Sequence, residues 1–148
     1  MVKKRRGQNL VFFIGLLPIF LMALGLVVDF GRFMILHAQA AAMADSVALS
    51  AANALDLHST PGNWMLDQEY ARRRADFIFT SWSINHLPYE SWMEIRLDQF
   101  IVQANRVKVV VHAECQPIFL GAFGVGPYSI DVASYARAAV GISKEEPW

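Results

Sequence analysis

The sequence predicts an α+β protein, and three observations support that fold class. An unbroken apolar run at residues 10–28 is long enough for a transmembrane helix, and helix-favouring sequence then continues to about Leu57. From residue 93 onward, polar and apolar residues alternate with a period of two, as in half-buried strands. The predicted segments are a basic N-terminal segment (1–9), a transmembrane helix (10–28), a projecting Ala-rich helix (29–57), a small α+β head (58–142) with one helix and a three-stranded antiparallel sheet, and an exposed tail (143–148).

The apolar run is predicted to insert in a membrane with the N-terminus inside. It contains 14 Leu, Ile, Val or Phe residues, which contribute on the order of −6 kcal/mol to insertion, more than Pro18, Gly15 and Gly25 reverse. The basic cluster at residues 3–6 precedes the run, so it should stay cytoplasmic and residues 29–148 should lie outside.

The alternative for this run is a cleavable signal sequence, which also combines a basic start with an apolar stretch. Signal sequences have apolar regions of about 7 to 15 residues that end at a small-x-small site. Ala23-Leu24-Gly25 fits such a site, but apolar residues continue to Val28 and helix-favouring sequence follows. We therefore expect the mature chain to keep the run.

The projecting helix is unusual because from Ala38 to Ala54 about half of its residues are alanine. Alanine has the highest helix propensity. Its strongly polar positions are few. Arg32, Gln39, Ser46 and Asn53 recur every seven residues and form a narrow stripe, and Asp45, Ser50 and Asp56 lie beside or between them. A helix that is apolar on nearly all sides has to be covered on nearly all sides, so packing against other long helices is the favoured interpretation. The alternative is a stalk whose alanines only keep it helical.

The head is predicted to begin where residues 58–62, His-Ser-Thr-Pro-Gly, end the long helix. A second helix is predicted from Trp64 to Trp82, with an apolar side at Tyr70, Phe77 and Trp82 and a charged side at Asp67, Glu69, Arg72, Arg73 and Asp76. Asn85 to Pro88 should end it.

Two alternating runs predict strands joined by a turn at Gln103-Ala104-Asn105. In the first, Met93, Ile95 and Leu97 face one way; in the second, Val107, Val109, Val111 and Ala113 do. Ile130 to Val140 is the third predicted strand, with Asp131, Tyr135 and Arg137 outward. The apolar segment Pro117 to Gly124 lies before it and is predicted to cover the core; the alternative is a patch, including Phe119 and Phe123, that rests on the membrane or on the long helix.

Several of these residues together resemble a known family. Arg6-Gly7, Leu17-Pro18, Gly25, Val28 to Arg32, Gln39 and the run Ala44 to Ala52 resemble the N-terminal pattern of TadE/TadG-like proteins of the tight-adherence (Flp-type) pilus machinery, over residues 6 to 57. A weaker likeness covers Val107 to Val111, Pro117 to Gly124 and Ser129 to Ala138.

The resemblance implies a pilin-like fold and a pseudopilin or minor pilin-like component of the bacterial inner membrane, partnered by other pilin-like or Tad assembly subunits. Two departures limit what it implies. Substrates of the type IV prepilin peptidase are similar in having Gly before the cut and Glu five residues later, but Phe12 stands five residues after Gly7. A large adhesive domain also does not fit in 148 residues.

The residues expected to mediate assembly are Pro18, Gly25, Asp29, Arg32, Ala44 and Ala48. Asp29 and Arg32 lie one turn apart where the span leaves the hydrocarbon, so they are close enough to pair. Either both are solvated at the interface, or Asp29 pairs with Arg32 of a neighbouring subunit and fixes the axial register.

We expect no enzyme and no cofactor, metal, nucleic-acid or small-molecule site. Cys115 is the only cysteine and is expected to be a small buried residue at a strand end. His112 lies an odd number of positions from it, on the opposite face of a strand. His37, His58 and His86 lack neighbours at ligand spacing, and no glycine-rich phosphate loop is present. The leading hypothesis is a single-pass structural assembly protein; the alternative is a membrane-tethered module whose sheet face or Phe119–Phe123 patch binds an envelope ligand.

Overall fold

A computed structural model describes residues 6–55, 65–86 and 92–138, without the side chains of residues 6–10, 85 and 86. Its elements confirm the predicted α+β fold: one long helix, a second helix and a three-stranded antiparallel sheet. In chain order they are α1 (Arg6–Ala52), α2 (Gln68–His86), β1 (Met93–Gln103), β2 (Arg106–Cys115), α3 (Phe119–Ala122) and β3 (Tyr128–Arg137).

Helix α1 has 47 residues, so it is about 70 Å long. Pro18 lies inside it and does not end it. The helix ends at Ala52, five residues before the predicted end at Leu57, because the chain turns there: the N–H of Ala54 bonds the carbonyl of Ala51, and Leu55 pairs with Leu66 in an isolated bridge. The predicted helix-ending residues 58–62 lie outside the described part of the chain.

Helix α2 begins at Gln68 because the Asp67 carboxylate caps it. Asp67 Oδ1 accepts the backbone N–H groups of Glu69 at 2.9 Å and Tyr70 at 3.0 Å. The helix continues to His86, past the predicted end at Trp82; the predicted start at Trp64 lies outside the described residues.

The predicted apolar side of α2 was wrong for two residues. Tyr70 and Phe77 are exposed, whereas Ala71 and Ala75 are fully buried against α1. The reason is that the distance between two packed helices depends on the side chains at their contact. Small residues on both helices allow α2 to approach the Ala-rich part of α1 closely, and the large aromatic rings are left outside.

The sheet has the strand order β1-β2-β3, with both pairs antiparallel. Its first hairpin turns at Ala104 and Asn105, as predicted, with Ala104 in the left-handed region at φ 48°. A bulge at Asp98 shifts the register of β1. Strand β3 begins at Tyr128, two residues before the predicted Ile130.

The core lies between the sheet, α2 and one face of α1. The predicted inward residues of β2 are buried, and Met93 and Ile95 of β1 join them. Helix α1 contributes its buried face to the same cluster, through Leu36, Ala40, Met43, Ala44, Val47, Ala48, Ala51 and Ala52. The C-terminal part of α1, residues 36–52, therefore belongs to the core of the head.

Candidate functional site

The junction between the apolar part of α1 and the head is organised by Asp29. Its side chain is 1% exposed. Oδ1 accepts the backbone N–H of Ile118 at 2.9 Å, and Oδ2 accepts the backbone N–H of Leu120 at 2.7 Å. Both carboxylate oxygens are therefore bonded to a segment 89 to 91 residues further along the chain.

The segment that Asp29 binds, residues 117–127, is called the turn segment here. It begins with Pro117 and includes the four-residue helix α3. The first N–H groups of a helical turn have no partner within the turn, and they carry partial positive charge. A carboxylate on the long helix satisfies these donors, which explains why the turn segment lies against α1 at this level.

A glycine allows the close approach. At Gly25, one turn before Asp29, an added Cβ would lie 2.7 Å from both Cβ and Cγ of Phe119. Such a distance is too short for any side chain without movement of the turn segment. Gly25 therefore has a packing role within the chain.

Two aromatic contacts lie next to Asp29, toward the C-terminal end of α1. The Arg32 guanidinium carbon lies 4.3 Å from the centre of the Trp92 ring, a cation–π contact. Phe33 meets Tyr128 edge to face, with the ring centres 6.1 Å apart. One guanidinium nitrogen of Arg32, Nη1, is buried and has no hydrogen-bond partner among the described residues.

The turn segment does not cover the core, so that prediction was wrong and its alternative holds in part: the segment rests on the long helix. No residue of α3 is buried. Ile118 is 56% exposed and Phe123 is 63% exposed. The sheet face is covered by α1 and α2 instead, which leaves no space there for the segment.

The predicted assembly residues fall into three groups. Gly25, Asp29 and Arg32 meet at the junction, and Pro18 lies on the exposed apolar part of α1. Ala44 and Ala48 are 0% exposed. The expectation that these two alanines face partner helices was wrong, because the sheet and α2 of the same chain already cover them. Pairing of Asp29 with Arg32 of a neighbouring subunit stays a prediction, and in this structure the turn segment uses both Asp29 oxygens.

The opposite side of α1 is mostly apolar and is exposed, and it is called the outer face here. It consists of exposed residues three, four or seven positions apart, which share one side of a helix: Gly31, Met34, Ala38, Ala42 and Leu49. The exposed polar residues Asp45 and Ser46 lie between the last two. Leu49 is 61% exposed. Ile35 lies beside this row and is also exposed.

The sheet carries one polar cluster on the face away from α1. His112 Nδ1 lies 2.5 Å from Asp131 Oδ1, and His112 Nε2 lies 3.2 Å from Glu114 Oε1. These hydrogen bonds to Asp131 and then to Glu114 raise the pKa of His112. In the described part of the chain, no group of three or more His, Cys, Asp or Glu side chains is arranged to hold a metal ion.

Cys115 is a buried residue at the end of β2, as predicted. Burial raises the pKa of its thiol. A thiol with a raised pKa stays protonated at neutral pH, and the thiolate is the nucleophilic form. Cys115 therefore has a packing role beside the junction.

Sequence reasoning missed the partner of Asp29 and the contacts of Trp92. Backbone N–H groups leave no pattern in a sequence, and the two halves of the junction are about 90 residues apart. One indication was available: a lone carboxylate at the end of an apolar helix needs a donor, and the turn segment offers only backbone donors.

Comparisons with known proteins agree with the resemblance in the sequence. Residues 7–54 match the family model described as putative Flp pilus-assembly TadE/G-like, which confirms the predicted resemblance over the N-terminal third of the chain. No curated protein and no solved structure matches the chain. Among the helices that the structure describes, α1 over Val11–Ala52 is the one long and apolar enough to cross a membrane.

Proposed function

We propose that this TadE/G-like chain is a pseudopilin or minor pilin-like structural component of a Tad/Flp-type pilus assembly or secretion system. It is anchored in the bacterial inner membrane by α1 and associates with other subunits through the same helix. The family match supports a role in pilus assembly. The outer face of α1 is the observation that supports the route of association.

The outer face continues well beyond the membrane. If residues 10–28 fill the hydrocarbon, Leu49 lies about 30 Å beyond it. Outside a membrane, α1 leaves Met34, Ile35 and Leu49 exposed to water on one side. Burial of each of these large side chains would stabilise the protein by roughly 1.5–3 kcal/mol. Another long helix would cover these residues, and Gly31, Ala38 and Ala42 between them allow a close approach.

The orientation in this proposal follows from charge. Lys3, Lys4, Arg5 and Arg6 precede the span, and lysine and arginine near a span favour the cytoplasmic side. The head and the outer face then lie on the extracytoplasmic side, where subunits of a filament would meet.

Site-specific photo-crosslinking in cells tests the association. We expect a photoreactive residue at Ala38 or Ala42 to crosslink to another protein, because both positions are exposed on the outer face. Glu94, exposed on the far face of the sheet, is the matched position where no such crosslink is expected. Ala38→Trp should abolish the Ala42 crosslink and pilus assembly while leaving the head folded.

Two outcomes would contradict the proposal. One is the absence of protein crosslinks at both positions, together with normal assembly by Ala38→Trp. The other is crosslinking that is equally strong from Glu94. Either result would favour the membrane-tethered binding module, in which the outer half of α1 only supports the head.

A further inference from the structure

We infer that the turn segment is a second membrane contact, inserted at the outer boundary of the bilayer beside α1. Its ligand is the lipid surface at the level where acyl chains meet headgroups. The inference rests on the membrane span of the proposed function, and it adds a lipid-binding surface on the head to it.

The depth of the turn segment follows from its contacts. Phe119 packs on Gly25, and Gly25 is three residues before the end of the apolar run. At 1.5 Å per residue, Gly25 lies about 5 Å inside the hydrocarbon if the run fills it. The turn segment is therefore held at or below the membrane boundary by direct contact with the span.

The composition of the turn segment fits that depth. From Pro117 to Pro127 no side chain is charged or polar. Its large exposed residues are Ile118, Phe119, Phe123 and Val125. Exposure of these four side chains to water is unfavourable. Apolar residues buried about 5–10 Å deep in the membrane interface, in contrast, stabilise the binding of an interfacial segment.

Its backbone is also suited to a lipid environment, where an unpaired N–H costs several kcal/mol. Asp29 accepts the N–H groups of Ile118 and Leu120. Within the segment, the N–H groups of Phe123 and Val125 bond the carbonyl of Leu120, and that of Gly124 bonds the carbonyl of Gly121, each at 3.0 Å.

The neighbouring surfaces agree with lipid as the occupant. Leu21 and Met22, one turn below Gly25 on α1, are exposed and belong to the lipid-facing run. Above the segment, Trp92 and Tyr128 lie against Arg32 and Phe33, at the level where Trp and Tyr collect at membrane interfaces. The patch is thus continuous with the lipid-facing surface below and with an aromatic layer above.

Depth-dependent quenching in liposomes tests the inference. The full chain, with Cys115→Ala, is given one fluorescent label at Phe123→Cys and reconstituted at low protein density. Leu49→Cys, equally exposed on α1 but about 30 Å beyond the span, is the matched control, and Phe20→Cys inside the span is the reference. Nitroxide lipids report lipid contact, and iodide reports water contact.

We expect the label at position 123 to be quenched by lipids with the nitroxide near the headgroup and to be sheltered from iodide, while the label at position 49 shows the opposite. Quenching of the 123 label like that of the 49 label would overturn the inference. Shelter from both quenchers would also overturn it, because a second protein copy would then cover the patch. If the label at position 20 is not quenched by lipid, the membrane span of the proposed function fails as well.

Discussion

At the scale of single residues, Asp29 and Gly25 determine how the head meets the apolar part of α1. An ionised carboxylate at the edge of a hydrocarbon layer is costly unless donors surround it. The turn segment supplies two backbone donors, and Gly25 gives Phe119 the space to bring them close. Gly25 and Asp29 of α1 thus fix the position of the turn segment, although it lies about 90 residues further along the chain.

Gly25→Ala should loosen this contact, because the new methyl group would lie 2.7 Å from Phe119. The turn segment has to move outward, and the hydrogen bonds to Asp29 lengthen. Hydrogen exchange of a peptide spanning the turn segment should become faster. Gly31→Ala is the control, since nothing lies within 4 Å of its Cβ position and alanine favours the helix by about 1 kcal/mol. Equal exchange in both variants would show that Gly25 does not control the contact.

His112 gives the head a pH-dependent contribution to stability. Its pKa is raised by the hydrogen bonds to Asp131 and Glu114, relative to about 6.5 in an unfolded chain. The stabilisation is fully present below about 6.5 and is lost as the pH rises through the raised folded value.

The free energy of unfolding in detergent should therefore fall as the pH rises above about 6.5, and it should fall more steeply for the wild type than for His112→Gln. Asp131→Asn, which replaces the first of the two carboxylates with a neutral amide, should reduce the slope in the same direction. A slope that is unchanged in both variants would mean that the histidine does not carry the effect.

At the scale of elements, α1 changes its role along its length. The part from Val11 to Leu24 is exposed on every side, whereas the part from Leu36 to Ala52 buries one face in the head. The sequence predicted the helix, its length to within five residues and its need for cover. The sequence did not predict which face of α1 packs against the head, because alanines occur on all sides of the helix and do not distinguish a buried face.

Matched alanine variants distinguish the two faces. Ala48→Leu adds three carbon atoms to a filled core and should lower the free energy of unfolding by about 1–3 kcal/mol. Ala42→Leu places the same group on the exposed outer face and should change it by less than about 0.5 kcal/mol. Thermal unfolding in detergent, followed through the sheet signal, measures both. Similar losses would place Ala42 in the core as well.

The strands were more predictable than the helix contacts. Alternation with a period of two distinguishes the two faces of a strand directly, so the buried residues of β2 and the outward residues of β3 were predicted correctly. On α2 the aromatic residues suggested the wrong face, because the size of a side chain matters more than its hydrophobicity where two helices touch. The junction required contacts between distant segments, which no local pattern indicates.

At the scale of the whole molecule, the long helix α1 and the head share one hydrophobic core. The outer half of α1 supplies buried residues to the same core as β2 and α2. The predicted head, residues 58–142, does not include Ala44 and Ala48, which lie in this core. A fragment that begins after α1 lacks a whole side of its core.

Because α1 continues from the apolar N-terminal part of the chain into the head, a tilt of α1 also moves the head. Transmembrane helices commonly tilt by about 20°, by an amount that depends on the thickness of the bilayer. From Asp29 to Ala52 the helix extends about 35 Å. Because the head is packed along that length, a tilt of about 20° moves its far end sideways by roughly 12 Å. In the proposed membrane arrangement, the thickness of the bilayer therefore influences where the head lies relative to the membrane surface.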